Sequence, residues 1–336
     1  MTIVLTGKIT TYSTNHPKFT YTQSGTSGGL GGVALKTILA QNLIPVESLR
    51  ISAYNENALP PEIKASGIEV RFGDLNNPES LLRSYEGAEI LFLVSFPSVG
   101  EERFQLHKNA IDAAKAVGIR HVIYTSLSFG GQEGRTSFAG VMQAHLRTTE
   151  YLKASGLTWT IIRMGTYAHL WNNFAGFLDV DGSLEPFEVV IPDDGLNHWT
   201  DRQDQGEATA KIIADCATYA NRTVSLIGSE LLSITDIVRL YSRFSGRKVT
   251  VRILPDADVI AYQTARGILP VEQLPFLQNW VTWHHEMRMG GTAWLDPTME
   301  MLLGRKPKTV RDQSRELFSI RNGLDTKDFA NTELMI

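Results

Sequence analysis

Through the first half of this chain, short runs of β-branched and apolar residues alternate with segments of helical period, a pattern that builds a parallel sheet with crossover helices. Strands are expected at Leu49–Ala53, Glu69–Phe72, Ile90–Ser95, His121–Thr125 and Thr158–Ile162. Between them fall helices at Gly32–Asn42, with Val33, Leu35, Ile38 and Leu39 inward, and at Pro78–Tyr85 behind an Asn77 cap. Two more, Phe104–Val117 and Met142–Ser155, are stopped by Gly118 and Gly156. A helix at Gln205–Tyr219, a strand at Thr223–Ile227 and a helix at Ile234–Ser245 follow, and the final third is helical and rich in Trp, Met and Leu. No repeat or low-complexity linker separates two halves, so a second lobe would be interleaved with the first.

The run Gly25-Thr-Ser-Gly28-Gly-Leu-Gly31 matches G-x-x-G-x-x-G and opens the first helix. Glycines at a first β-to-α turn let the backbone approach a pyrophosphate, whose charge is held at the helix N-terminus. The natural feeding strand is Thr2–Thr6, followed by Gly7, yet a polar stretch stands between it and the glycines, too long for a βα loop. Removing residues 8–25 leaves MTIVLTGTSGGLGGVAL, an unbroken strand, turn and helix. The seam also has the marks of a translated intron. Gly7-Lys8 can be encoded with GTAAG, Ser24-Gly25 with a terminal CAG and Thr14-Asn15 with CTAAC, in matching phase. The segment is therefore read as a retained intron of the filamentous-fungal kind, with a true surface insertion as the alternative. A register with Phe19–Gln23 as the first strand is open, but those residues are polar for a central parallel strand.

Bulk properties narrow the function classes. A chain of 336 residues with 43% apolar, 9% aromatic and 20% charged residues is globular, with room for one nucleotide domain and an added lobe. A net charge of −4, with no Lys/Arg block, argues against nucleic acid as a partner. Cys216 is the lone cysteine, which fits a reducing compartment. The start lacks a secretory pattern, and the most apolar stretch, Ile90 to Phe96, is too short to span a bilayer, so a cytosolic protein off the membrane is expected.

The stretches LFLVSFPSVG (91–100), NAIDAAKAVGIRHVIYTSL (109–127), HLRTTEYLKASGLTWTIIRMGTY (145–167) and LLGRKPKTVRDQSRELF (302–318) resemble the NmrA-like family of atypical short-chain dehydrogenases. They look closest to its type-2 NAD(P)H:quinone oxidoreductase branch. The resemblance covers nearly the whole chain outside the insert and the last residues. It implies an α/β fold: a Rossmann-type doubly wound parallel sheet with a smaller C-terminal α/β lobe. Residues 1–165 would form the NAD(P)-binding domain, 166–320 a substrate lobe interleaved with late Rossmann elements, and 321–336 a tail.

Carried over by position, the resemblance gives the pyrophosphate to Gly25, Gly28, Gly29, Leu30 and Gly31. It gives the adenosine ribose to Tyr54 and Asn55, the adenine to Asp74 and Leu75, and the next stretch of cofactor to Ser95 and Phe96. Thr125, Ser126, Gly165, Thr166 and Tyr167 would line the nicotinamide end. His145 stands where many relatives have lysine, and is either a cofactor or proton-relay group or a plain helix-surface histidine. Two departures bear on chemistry. Where Tyr54 stands, relatives that select NADP usually carry arginine, and no acid sits at the strand end for a ribose hydroxyl, so NADP and NAD both remain as cofactor. No Tyr-x-x-x-Lys pair exists: Tyr151 is followed four residues later by Ser155, and Tyr167 by Trp171. Simple ketone reduction is disfavoured accordingly.

His284 and His285 are adjacent and cannot share a helix face, so no metal is expected there. Trp171, Phe129, Trp280 and Trp283 would shape an aromatic pocket, although the helical spacing of Trp280 and Trp283 equally suits lobe core. The expected function is hydride transfer from NAD(P)H to a small-molecule acceptor of the quinone-like, enone or iminium type, with His145, Tyr167 and Ser126 near the reaction. A tailoring step in fungal secondary metabolism is a natural setting. The alternative is a non-catalytic dinucleotide sensor acting through a regulatory protein partner, and a homodimer is open in either case.

Overall fold

The computed structural model describes residues 18–23, 29–98, 100–178, 187–267 and 274–319, with the backbone alone for 18–23. Its main sheet holds β1 (Lys18–Gln23), β2 (Leu49–Ala53), β3 (Glu69–Phe72), β4 (Ala88–Leu93), β5 (His121–Leu127), β6 (Thr158–Met164) and β8 (Arg222–Leu226). All pairings are parallel, in the order β3-β2-β1-β4-β5-β6-β8, so the winding reverses between β1 and β4. Outside the carboxyl ends of strands at such a reversal lies the crevice where open α/β sheets bind ligands. A second, two-stranded parallel sheet pairs β7 (Glu188–Ile191) with β9 (Thr250–Ile253).

The helices are α1 (Leu30–Ala40), α2 (Pro61–Lys64), α3 (Pro78–Tyr85), α4 (Glu101–Ala116), α5 (Gly140–Ala154) and α6 (Trp171–Phe174). They continue with α7 (Arg202–Ala214), α8 (Ile234–Ser245), α9 (Asp256–Ala265), α10 (Leu274–Arg288), α11 (Thr298–Leu303) and α12 (Ser314–Ser319). One sheet face is covered by α1 and α7, whose Leu35, Ile38, Ala208 and Ile212 pack on Ile51, Phe92 and Ile162. Gly206 makes that helix pair possible: a Cβ there would stand 2.3 Å from Val33 Cγ1. The other face is covered by α3, α4 and α5 over Leu91, Leu93, Val122 and Tyr124. A separate core closes the C-terminal lobe around Trp171, Phe174, Val190, Trp280 and Trp283.

Most elements fall where periodicity puts them, and Asn77 caps α3 by accepting from the Ser80 amide. The main correction concerns the first strand, where the alternative register, Phe19–Gln23, holds against the favoured Thr2–Thr6. The slot between β2 and β4 belongs to Lys18–Gln23, not to Thr2–Thr6, which lies outside the described residues. Proximity explains the outcome: only residues 24–29 separate Gln23 from α1, a normal βα connection, and Phe, Tyr and Thr suit a strand even in a segment that is polar as a whole. Three smaller differences have local causes. Helix α4 begins at Glu101, ahead of Phe104, with Glu101 and Glu102 favoured by the positive helix end. Helix α7 stops at Ala214, where the backbone passes into successive turns. On α1, Val33 and Leu39 are only half-buried, while Ala34 joins Leu35 and Ile38 inside.

Candidate active site

The carboxyl ends of β2 to β6 form one rim, and most of the residues expected at a dinucleotide lie along it. Gly25 and Gly28 lie outside the described residues. Gly29 is the N-cap of α1, and its carbonyl accepts from the Val33 amide. Among the described residues no side chain caps this helix end, and no acid occupies its first turn, which leaves the amides of Leu30 and Gly31 suited to an anion. At the end of β2, Tyr54 is 68% exposed and its ring lies 6.2 Å from that of Phe72, itself 49% exposed, at the end of β3. Two exposed rings side by side make a ledge suited to a flat base, and Phe72 has no counterpart among the residues expected from sequence. Asn55 turns back to accept from the Asn57 amide, and Lys64 Nζ donates to the Asn57 carbonyl at 3.0 Å, bringing a cation to this turn from α2. Asp74 closes its own turn on Asn76, and the Leu75 carbonyl accepts from Asn109.

Next along the rim, the Ser95 amide donates to Thr125 Oγ1 at 2.8 Å, linking the ends of β4 and β5. Gly165, just past β6, has a packing reason to be glycine: a Cβ would meet Thr200 Oγ1 at 2.3 Å and the Ile227 backbone at 3.1 Å. Thr166 donates its hydroxyl to Asn197 Oδ1, and Tyr167 stacks on His169 with ring centroids 5.3 Å apart. Ser126 is buried on the opposite side of its strand from Thr125, at the floor of a cavity of about 810 Å³ that runs between α5 and β8 and reaches Arg163 and Trp294.

His145 is neither exposed nor free to meet a ligand. It is 1% exposed, and both ring nitrogens are taken. Arg103 Nη1 can only donate, so His145 Nε2 accepts at 2.7 Å, and the ring proton sits on Nδ1, facing Tyr124 Oη at 2.7 Å. His107 obeys the same logic. Its Nε2 accepts from the Phe96 amide at 2.8 Å, which leaves the proton on Nδ1 to face Thr148 Oγ1 at 3.0 Å. Burial, then the Arg103 charge, hold both histidines far below their usual pKa, and burial pushes the Tyr124 phenol up. Five side chains from α4, β5 and α5 thus form one buried network whose far end grips the Phe96 amide on the rim.

The loop from β5 to α5 is held from two sides. Arg163 donates to four of its carbonyls, those of Leu127, Phe129, Gly131 and Gln132. From α10, Glu286 accepts from the amides of Gly130, Phe138 and Ala139 and from the Ser137 hydroxyl. Neither residue is visible in sequence as a site residue, because each partner set lies far along the chain. The expected aromatic pocket is not a cleft: Phe129, Trp171, Trp280 and Trp283 are all buried in the lobe's core. His284 and His285 diverge, the first onto the carbonyls of Phe174 and Trp280, the second between Asp193 and Asp256. No helix among the described residues is long and apolar enough to cross a membrane.

Residues 24–301 match the NmrA-like family. An NmrA-like family domain-containing oxidoreductase of Aspergillus flavus is 31% identical over 302 residues, 88% of this chain and 94% of that protein. The structure of the NADPH-dependent quinone oxidoreductase QOR2 of Escherichia coli, complexed with NADPH, superposes with a TM-score of 0.77 at 26% identity, covering 89% of this chain and 99% of that one. The nitrogen metabolite repression protein of Emericella nidulans is 28% identical over 198 residues, 55% of this chain and 54% of that protein.

Proposed function

We propose that this chain, which belongs to the NmrA-like family and is an NAD(P)H-dependent oxidoreductase, passes hydride to a quinone-like, enone or iminium acceptor. The observation that carries the choice of acceptor is the inward turn of the ionisable groups. His145 and His107 both bond Tyr124, burial keeps both histidines neutral and the phenol protonated, and none is placed to protonate an alkoxide. Acceptors of the proposed kind give products that need little acid catalysis, unlike a simple ketone.

When bound, the dinucleotide supplies the hydride. The α1 N-terminus, uncapped among the described residues, suits its pyrophosphate, and the Tyr54–Phe72 ledge its adenine. Ser95 and Phe96, with Thr125, Gly165 and Thr166, would frame the nicotinamide end, each held by backbone or buried partners that cost no reorganisation at the moment of reaction. Tyr167, with no lysine four residues on, would orient the acceptor rather than protonate it. A tailoring step in fungal secondary metabolism fits both the intron-like seam and the Aspergillus relative.

Purified protein should oxidise NADPH or NADH with a simple quinone, and Tyr167→Phe should lose about tenfold to a hundredfold in rate, as expected for an orienting contact. Complete loss in Tyr167→Phe with dinucleotide binding intact would make this tyrosine the acid and restore carbonyl reduction. The likeness to the nitrogen metabolite repression protein keeps one rival in play, a dinucleotide sensor. Tight dinucleotide binding without turnover on any acceptor would decide for it.

A further inference from the structure

Three arginines are buried among the described residues, and two are answered by conventional partners. Arg50 meets the Glu69 carboxylate, and Arg163 meets four carbonyl oxygens. Arg103 has no carboxylate partner and only one long bond to a carbonyl. It is 6% exposed; its Nη1 lies 2.7 Å from His145 Nε2 and 3.5 Å from the Val141 carbonyl, and its Nε has no hydrogen-bond partner. Burial lowers its pKa only to about 10, so it is a cation at neutral pH. An ion buried without a counter-ion is a cost to stability that an apolar side chain of similar length would avoid.

Its neighbours add no negative charge. The ring protons of His145 and His107 both point toward Tyr124 and Thr148, whose hydroxyl groups are neutral. Position gives the charge its interest. Arg103 stands in the first turn of α4, the helix that follows the carboxyl end of β4, and its network ends on the Phe96 amide, next to Ser95 and Thr125. The cation is therefore linked, through His145, Tyr124 and His107, to the strand ends assigned above to the nicotinamide.

We propose that Arg103 makes the nicotinamide end of the cleft electropositive, and thereby selects acceptors that become anionic on reduction, quinones and enones, over cationic acceptors such as iminium ions. The inference rests on the proposed function and narrows its acceptor class. A neutral quinone that receives hydride gains two electrons and one hydrogen, forms one new bond to that hydrogen and becomes a hydroquinone monoanion. The C4–H bond of the reduced nicotinamide breaks in the same step, and water later supplies the proton that neutralises the anion. An iminium ion instead loses its charge on reduction, and must first enter the cleft against the field. A fixed buried cation favours the first course and opposes the second. The same field opposes the positively charged ring of the oxidised dinucleotide. Arg103 touches neither ligand in this scheme and acts as a positioning residue for charge.

The test compares wild type, Arg103→Met and Arg103→Lys as full chains. Equilibrium binding of NADPH and NADP+ comes first, followed by steady-state reduction of a neutral benzoquinone and of a cationic iminium acceptor. Wild type should bind the reduced form more tightly, and Arg103→Met should shrink that preference about fivefold or more while lowering kcat/KM for the quinone about tenfold. Arg103→Lys should keep most of both, and Arg103→Met should melt no lower than wild type. A folded Arg103→Met with an unchanged preference between redox forms overturns the inference, as does a fold that fails in both Arg103→Met and Arg103→Gln, which would make the guanidinium structural. Wild type that binds both forms equally also overturns it but leaves the dinucleotide site standing, whereas no dinucleotide binding at all refutes the proposed function itself.

Discussion

Glu286 offers the sharpest check on how the β5–α5 loop is built. Its carboxylate is 3% exposed and accepts four hydrogen bonds: from Gly130 N at 2.9 Å, Ser137 Oγ at 2.9 Å, Phe138 N at 2.6 Å and Ala139 N at 3.3 Å. Three of the donors are backbone amides, two of them directly before α5, where the helix dipole also favours an anion. Glu286→Ala strands these donors. At roughly 1–3 kcal/mol for each buried donor left unpaired, and with some relief from water entering the gap, the loss should be about 3–5 kcal/mol. Glu286→Gln keeps one oxygen but turns an NH2 group toward other donors, and should cost about 2–4 kcal/mol. Denaturant titration measures both, and hydrogen exchange of the Gly130, Phe138 and Ala139 amides should quicken in step. A loss below about 1 kcal/mol with unchanged exchange would mean that the loop is held by Arg163 alone, and the two-sided clamp is wrong.

Other expectations are as direct. Gly206→Ala places a methyl group 2.3 Å from Val33 Cγ1 and should cost about 1–3 kcal/mol in a thermal or chemical melt; a neutral effect would show that α1 and α7 part easily. Tyr54→Ala should weaken both dinucleotides about five- to tenfold by removing a stacking face, and Lys64→Glu should weaken NADPH more than NADH; calorimetry on the four pairs checks both. Partial burial opposes the charge on His285, but its bonds to Asp256 and Asp193 outweigh that and raise its pKa, so the folded state favours the charged ring. That stability is complete below about pH 6.5 and drains away as pH rises through the raised value, a decline that His285→Gln should lack; parallel pH profiles of melting would refute it. Deleting residues 8–25 joins Thr2–Gly7 directly to Thr26 and offers the more apolar strand to the slot beside β2 and β4. The shortened chain should melt higher and bind NAD(P) more tightly, and a transcript whose main form keeps those codons would sink the intron hypothesis.

The fold was legible where its causes are local. Alternating runs, an Asn cap before Pro78 and glycine stops at 118 and 156 each act within a few residues, and β2, β3, α3 and α8 appear at their expected bounds. The first strand was misassigned because two segments compete for one slot. Apolarity favoured Thr2–Thr6, whereas the length of chain between strand and helix favours Lys18–Gln23. Periodicity scores each segment separately, and the choice between them is a matter of loop closure.

The positions of most rim residues were legible for a similar reason: they lie at or just past strand ends, so finding the strand finds the position. What lies beneath them was not. Arg103 and His145 are 42 positions apart and Glu286 and Gly130 are 156, and no local pattern encodes either pairing. One signal was nonetheless available. Arg103, His107, Ala110, Ile111 and Ala114 recur at helical spacing and form the buried stripe of α4, so a cation heads an otherwise apolar and neutral face. A helix taken to begin at Phe104 hides that conflict; one begun at Glu101 exposes it. A charge written into a buried stripe must find a counter-ion, a cage of carbonyls or a use, and here the first two are missing among the described residues.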